Sequence, residues 1–295
     1  LNGLNSLIDL LGRSQAFGAL TSANTATDMA GRIENSLGSP VTLTSTGGGA
    51  FGGSISGYLS FVRSGDNTTT LTSVSDYVGD TVIRGGTLRL IDGGALSATT
   101  SLQVNFGALA WDNFGQNPDN AASPTLILPT RFGHSVPISL TGGTLRVVGA
   151  GSVDTLATFD SIDLLGGANI LETRPIIGSG ATVQVAIGDL DRSASLQSTM
   201  LFSGRSTFNS DGTNTLGQLD RSGSGLVFLS KLNGSAYSAA GMVNGIIGGW
   251  AIAYGDSYSF ATYSDATGVG QMTATQFTAG AIPTTAASSL KTANY

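Results

Sequence analysis

The chain of 295 residues contains no cysteine. Disulfides, thiolate metal centres and cysteine nucleophiles are therefore excluded. Cations are scarce and scattered: Lys231 and Lys291 are the only lysines, and the formal net charge is −6. A nucleic-acid surface needs cations clustered against phosphate, and docking to anionic lipid needs a basic patch, so the composition argues against both partners. There is one histidine, His134, between Pro129 and Pro137 and beside Gly133. A metal site or a Ser-His-Asp triad would rest on it alone, and no serine stands in a G-x-S-x-G setting, so a solvated loop histidine is the expectation. Long apolar runs are missing as well. The nearest, "AAGMVNGIIGGWAIA" (239–253), carries overlapping G-x-x-x-G spacings at Gly241/Gly245 and Gly245/Gly249, but Asn244 interrupts it. It falls short of the roughly 20 apolar residues of a membrane helix, and a buried strand–turn–strand is expected.

Glycine is abundant at 43 residues, Ser and Thr are frequent, and hydrophobic residues make up 40%. Mean hydropathy is +0.18. That is too apolar for a disordered chain, and the glycines lack a collagen period. Strand signals dominate: "VTLTST" (41–46), "TTLTSV" (69–74), "GTLRLI" (86–91), "SLQVNF" (101–106), "PTLILP" (124–129), "GTLRVV" (143–148), "ATVQVAI" (181–187), "GLVFLS" (225–230) and "SYSFATY" (257–263). Most are bounded by Gly, Asn, Asp, Ser or Pro. Helical spacing occurs only at "NSLIDLL" and "TDMAGRIENSL", near the start.

The motif "GGTLR" begins at Gly85 and again at Gly142, 57 residues later. Three coils of roughly 19 residues would give that interval, within the range of solenoid repeats. Each copy is followed by a similar order of strand, glycine turn and strand, as expected of a chain that stacks course on course. In "TVIRGGTLRL", Val82, Leu88 and Leu90 are expected to point inward, with Thr87 and Arg89 outward and Gly85–Gly86 at the corner. At about 4.8 Å per course, some 14 to 16 courses would span roughly 70 Å.

The segment "SDYVGDTVIRGGTLRL" (75–90) resembles the autotransporter-associated β-strand repeat, read as Tyr-x-Gly-x-Thr-x-Ile-x-x-Gly-Thr-Leu. Tyr77, Gly79, Thr81, Ile83, Gly86, Thr87 and Leu88 fill those places. The likeness is good over residues 2–115 and looser beyond. It implies a right-handed parallel β-helix, secreted and displayed on the outer-membrane exterior of a Gram-negative-type bacterium. Residues 1–295 then form one elongated β-solenoid unit, with 116–295 continuing the coils through less regular loops. A start at Leu1 and a tail "TTAASSLKTANY" without closely spaced amphipathic strands suggest a processed piece of a longer or polymerising chain. Both ends read as uncapped coils, which invites self-association end to end. The expected function is that of a structural rod: a stalk, an adhesin passenger or a filament subunit, with copies of itself or host carbohydrate as partners. No cofactor, metal or catalytic residue is assigned.

Other motifs are weaker. Gly47, Gly49 and Gly52 satisfy G-x-G-x-x-G after a strand, with Asp66 as the acid downstream, but strand-like "GSISGYLSFV" leaves no room for the helix a dinucleotide needs. Ser288 and Lys291 match S-x-x-K without a helix to join them. Asn67 and Asn233 open glycosylation sequons. The alternative function is a carbohydrate-active β-helix enzyme, which needs two carboxylates on one face. Asp160 and Asp163, at an odd offset, are expected on opposite faces. Asp189 and Asp191 have matching parity but read as a turn countered by Arg192.

Overall fold

The computed structural model describes residues 3–114, 125–126, 131–133, 135–150, 153–176, 181–204, 216–217, 223–255 and 257–272. Its strands wind into nine stacked courses, each passing up to three faces in the same order. The first course holds β1 (Leu7–Asp9) and β2 (Gln15–Phe17); the second, β3 (Arg32–Asn35), β4 (Val41–Ser45) and β5 (Gly49–Phe51). The third holds β6 (Ser54–Gly57), β7 (Leu59–Arg63) and β8 (Thr68–Leu71), and the fourth β9 (Val74–Ser75), β10 (Thr81–Ile83) and β11 (Thr87–Leu90). The fifth holds β12 (Ala95–Leu96), β13 (Leu102–Asn105) and β14 (Ala108–Asp112), and the sixth β15 (Thr125–Leu126), β16 (Ile138–Thr141) and β17 (Thr144–Val148). From there the first two faces merge into one long strand per course: β18 (Asp154–Gly166) before β19 (Ala168–Arg174), β20 (Thr182–Asp191) before β21 (Thr199–Ser203), and β22 (Ser224–Leu232) before β23 (Ser235–Ala236) and β24 (Ala251–Tyr254). The chain then turns back through β25 (Tyr258–Ser264) and β26 (Gly268–Gln271). The only helix among the described residues is a 3-10 turn, Ala239–Gly241.

Every course-to-course pairing is parallel, so side chains of like position stack directly. On the second face Leu43, Phe61, Thr81, Leu102, Ile138, Ile162, Leu190 and Leu232 lie in one register column. On the third, Thr69, Leu88, Leu109, Leu145, Leu171, Phe202 and Ala253 form another. All of these are fully buried except Leu232, which packs half-buried against the core. Alternation within each strand puts the intervening residues outside. This is the all-β, stacked β-solenoid architecture expected from the sequence.

The register corrects the repeat arithmetic. Leu88 pairs with Leu109 and Leu109 with Leu145, so the two "GGTLR" copies are separated by two courses of 21 and 36 residues, not three of 19. The longer course carries an insertion before β16. Nine described courses, at about 4.8 Å each, make a stack roughly 40 Å tall rather than 70 Å.

Inside the signature, Val82 faces outward while Thr81 and Ile83 are fully buried, the reverse of the expectation. Hydrophobicity alone misleads here because the threonine hydroxyl is satisfied internally. The Tyr77 hydroxyl lies 2.6 Å from Thr81 Oγ1, which lies 2.8 Å from Thr99 Oγ1, and Thr99 donates to the Gly79 carbonyl at 2.9 Å. Burial of the Tyr77 ring pushes its phenol pKa well up despite these bonds. Leu88 and Leu90 are buried, as expected. Of the two corner glycines only Gly86 is left-handed (φ 58°), and a Cβ there would collide with the carbonyls of Asn67 and Gly65.

The two helical expectations are overturned. "NSLIDLL" contains β1 and "TDMAGRIENSL" contains β3. Ile8, Ile33 and Ile55 stack in register across three courses, and Arg32 N–H donates to the Ser6 carbonyl at 2.8 Å. Stacking overrides a local pattern too short to sustain a helix.

The two ends of the stack differ. Among the described residues β1 pairs only with β3 and β2 only with β4. At the other end β25 runs antiparallel to β24, β26 antiparallel to β25, and β23 antiparallel to β22. Among the described residues the coil direction therefore reverses in β25, and β26 returns parallel to β22 at Val227–Gly268.

Candidate functional site

Two charged clusters sit on the outer faces. The first gathers the carboxylates that the sequence offered as separate pairs. The inward alternation of β18 slips at Asp160 and Ser161, which both face out, because the strand bends there from the first face to the second. Asp163 consequently faces out too, against the expectation from parity. It is in register with Asp191, and Ser161 is in register with Asp189, which in turn pairs with Lys231. Asp189 and Asp191 lie at the end of strand β20, not in a free turn, and Arg192 is no counter-charge: its guanidinium donates to the carbonyls of Leu196 and Ser198 and lies 4.8 Å from the Trp250 ring centroid. Partial burial, and then the charges of Asp191 and Asp189, push the Asp163 carboxyl up from its ordinary value. Asp189 accepts from Gly234 N–H at 3.1 Å and Asp191 from Ser193 N–H at 2.7 Å, so both are held as acceptors. Adjacent parallel strands place Asp163 and Asp191 about 4.8 Å apart at Cα, on the same outer face. Among the described residues no group of three or more acidic or histidine side chains is arranged to hold a metal ion.

The second cluster lies on the third face. Arg89 Nε donates to Asp112 at 2.7 Å; Arg146 and Arg174 each donate through Nε to Glu172, also at 2.7 Å. Burial pushes the Glu172 carboxyl up, but the hydrogen bonds from Arg174 and Arg146 outweigh it and hold the pKa below the usual range. The carboxylates are nearly buried and the arginines are about a quarter to a third exposed. This network crosses courses and ties them together; its acids are already neutralised, which suits a brace better than an acid–base pair.

A shallow depression of about 300 Å³ lies at the N-terminal end, lined by Leu4, Asp28, Ala30, Gly31, Arg32 and Gly53 among others. Its floor exists because Gly31 and Gly53 stack with no room for a Cβ. Arg32 is occupied by Glu34 at 2.5 Å.

The remaining sequence motifs resolve into structure. Gly47, Gly49 and Gly52 lie where the second course meets the first; Gly47 N–H donates to the Gly18 carbonyl, and a Cβ at Gly52 would meet the carbonyls of Asn24 and Ala26. Strand β6 follows them, as expected, where a dinucleotide fold has a helix. Asn67 is exposed, but Thr69 of its sequon is fully buried, 3.2 Å from Ser45 Oγ and from the Gly47 carbonyl. Asn233 is exposed in the β22–β23 hairpin, its Oδ1 accepting from Arg192 N–H. The 239–253 window is a 3-10 turn, one Val243–Ile246 bridge around Asn244–Gly245, and the start of β24; it buries Ile246, Ile247 and Ala251 but leaves Val243 exposed. No helix among the described residues is long and apolar enough to cross a membrane. His134, Ser288 and Lys291 lie outside the described residues.

Sequence reasoning missed a set of buried polar corners. Asn35 Nδ2 donates to the carbonyls of Leu37, Ser39 and Tyr58, and Asn169 Nδ2 to those of Gly166, Gly167 and Thr199. Arg131 and Arg63 cap carbonyls in the same way. Position was a signal only for Asn35 and Arg63, the last residues of β3 and β7; nothing in the sequence around Asn169 or Arg131 marks them.

No protein-family model, no curated protein and no solved structure matches this chain. The findings establish a large, nearly all-parallel β-sheet of the β-solenoid kind and assign no family.

Proposed function

We propose that the protein is an extracellular or cell-surface structural β-solenoid, a stiff rod that acts as a stalk or adhesive passenger and meets copies of itself or surface carbohydrate. The observation that carries this reading is the pair of interior columns that run through consecutive courses without a break. Such a stack makes each course the template for the next and resists bending. The likeness of residues 75–90 to the autotransporter repeat supports placement outside a Gram-negative-type bacterium. A head-to-tail filament is the weaker form of the reading, because β25 and β26 occupy the C-terminal edge.

One observation favours a second reading, cleavage of a glycan: the convergence of Asp163, Asp189 and Asp191 on one outer face, with the Asp163 carboxyl pushed up. A carboxyl pushed up by burial and by neighbouring acids is the electrostatic pattern of a general acid. A single experiment separates the two. The purified chain is incubated with a panel of immobilised and soluble polysaccharides, and retention and new reducing or unsaturated ends are measured together. The structural reading predicts retention, or none, without product. Product that disappears in Asp163→Asn would replace it with the enzymatic one.

A further inference from the structure

The geometry points to a binding platform for a neutral glycan on the outer side of the third face, across β19, β21, β24 and β25. The inference rests on the surface-rod reading above and gives one of its partners a site and a chemical class. Three observations carry it. The first is a change of character along one outward register column. Through the earlier courses it reads Thr68, Thr87, Ala108 and Thr144; it continues as Ile170, Leu201, Ile252 and Phe260. These four large side chains are half-buried, yet none belongs to the interior cluster or packs against it. The solvent side of a sheet ordinarily carries polar residues, so an apolar strip there calls for an occupant. The second is aromatic. In the neighbouring column Tyr254 and Tyr258 face each other across β24 and β25, their rings stacked 4.4 Å apart at 30°, and Tyr258 is 69% exposed. The third is charge. The charged groups of that column and beside it, Arg146, Glu172 and Arg174, are already paired with one another, and the strip itself carries none.

These features select the occupant. A second protein chain needs roughly 800 Å² from each partner, whereas six side chains, five of them half-buried, offer on the order of 400 Å². An ionic polymer or an anionic bilayer would need unpaired charge of the opposite sign, which the strip lacks. A neutral sugar chain matches what is present. The weakly positive C–H groups of a pyranose face sit on the electron-rich face of an aromatic ring, and its hydroxyl rim meets the phenol oxygens. The aliphatic row beside the tyrosines extends the contact to neighbouring sugar units.

Isothermal titration of the 295-residue chain tests this, with cellohexaose, mannohexaose and maltohexaose as neutral probes and an oligogalacturonate as the acidic one. At least one neutral hexasaccharide should bind, with an affinity that salt leaves unchanged. Tyr254→Ala/Tyr258→Ala should weaken it at least about tenfold, with an unchanged far-ultraviolet spectrum. Phe106→Ser, which alters a 75% exposed aromatic residue between β13 and β14, should bind like the parent. Binding that survives the double tyrosine substitution, binding of the acidic probe alone, or no binding of any neutral probe would each overturn the inference. So would self-association of the parent that the double substitution abolishes, because the occupant would then be a second copy. None of these outcomes touches the rod reading, which is decided by product formation on the polysaccharide panel.

Discussion

Replacement of Arg131 by Met tests how the long sixth course is fastened. Arg131 is 4% exposed. Its Nη1 donates to the carbonyls of Gly94 at 2.5 Å and Asp92 at 3.2 Å; Nη2 donates to the Asp112 carbonyl at 2.6 Å and to Asn113 Oδ1 at 3.0 Å; Nε reaches the same Oδ1 at 3.2 Å. The guanidinium thus ties the fifth course to the insertion that follows it. Burial pushes its pKa down to about 10, partly offset by the charges of Asp112 and Asp92, so it remains charged at neutral pH. Methionine fills similar volume and offers no donor. Asn113 Oδ1 keeps Trp111 Nε1 at 3.1 Å, but the Gly94 and Asp112 carbonyls lose this donor. Each buried orphan costs roughly 1–3 kcal/mol, and relief of the buried charge returns part of that, so a net loss of about 3 kcal/mol is expected. Urea denaturation followed by Trp fluorescence reads it directly, because the Trp111 ring lies 5.3 Å from that of Phe132, the residue after Arg131. Arg131→Lys should recover the charge but not the fork, and fall between. A loss below about 1 kcal/mol in the Met variant would refute the reasoning.

Other substitutions probe separate links. Leu109→Ala, in the middle of a fully buried column, should cost about 2–5 kcal/mol by urea denaturation. Gly86→Ala should cost more than about 1 kcal/mol, since it adds a left-handed alanine and a collision with two carbonyls; Gly85→Ala, where φ is not positive and the nearest atom is the Gly65 carbonyl oxygen at 3.0 Å, should cost less. The Asp163 carboxyl is raised in the fold, so its ionisation opposes folding: stability drops as pH rises from the ordinary carboxylate value through the folded one, and Asp163→Asn should flatten that part of a urea stability–pH curve. Glu172 is lowered, so its contribution is present above the unfolded carboxylate value and lost as pH falls through the folded one; Glu172→Gln should flatten the acid limb of a stability–pH curve.

The architecture was legible because β-solenoids repeat one local rule. Alternation in "GTLRL" named Leu88 and Leu90 as interior, and both are fully buried; in the strand "GTLRVV" the structure buries Leu145 and Val147 in the same way. Three things were hidden. Interior polarity was one: Thr81 and Tyr77 satisfy each other inside, which no hydrophobicity pattern shows. Course length was another, because 57 residues divide into 21 and 36 as readily as into three equal parts, and only pairing decides. The third was parity across a bend. Asp160 and Asp163 looked opposed by their odd offset, yet the corner at Ser161 resets the alternation and brings Asp163 to the face of Asp191. The β1 and β3 segments were misread as helical because three or four residues hold too few apolar positions to fix a period.

The coil register underlies every structural and functional statement above, and the absence of native cysteine makes it directly measurable. Ala108 and Thr144 are outward-facing register partners 36 residues apart. Adjacent parallel strands place their Cα atoms about 4.8 Å apart, within disulfide range. The stack predicts that Ala108→Cys/Thr144→Cys oxidises to an intramolecular disulfide in the folded chain. Thr87→Cys/Thr144→Cys, two courses apart, should stay reduced. Failure of the first pair to close, with closure of Thr125→Cys/Thr144→Cys, the spacing of equal 19-residue coils, would contradict the account.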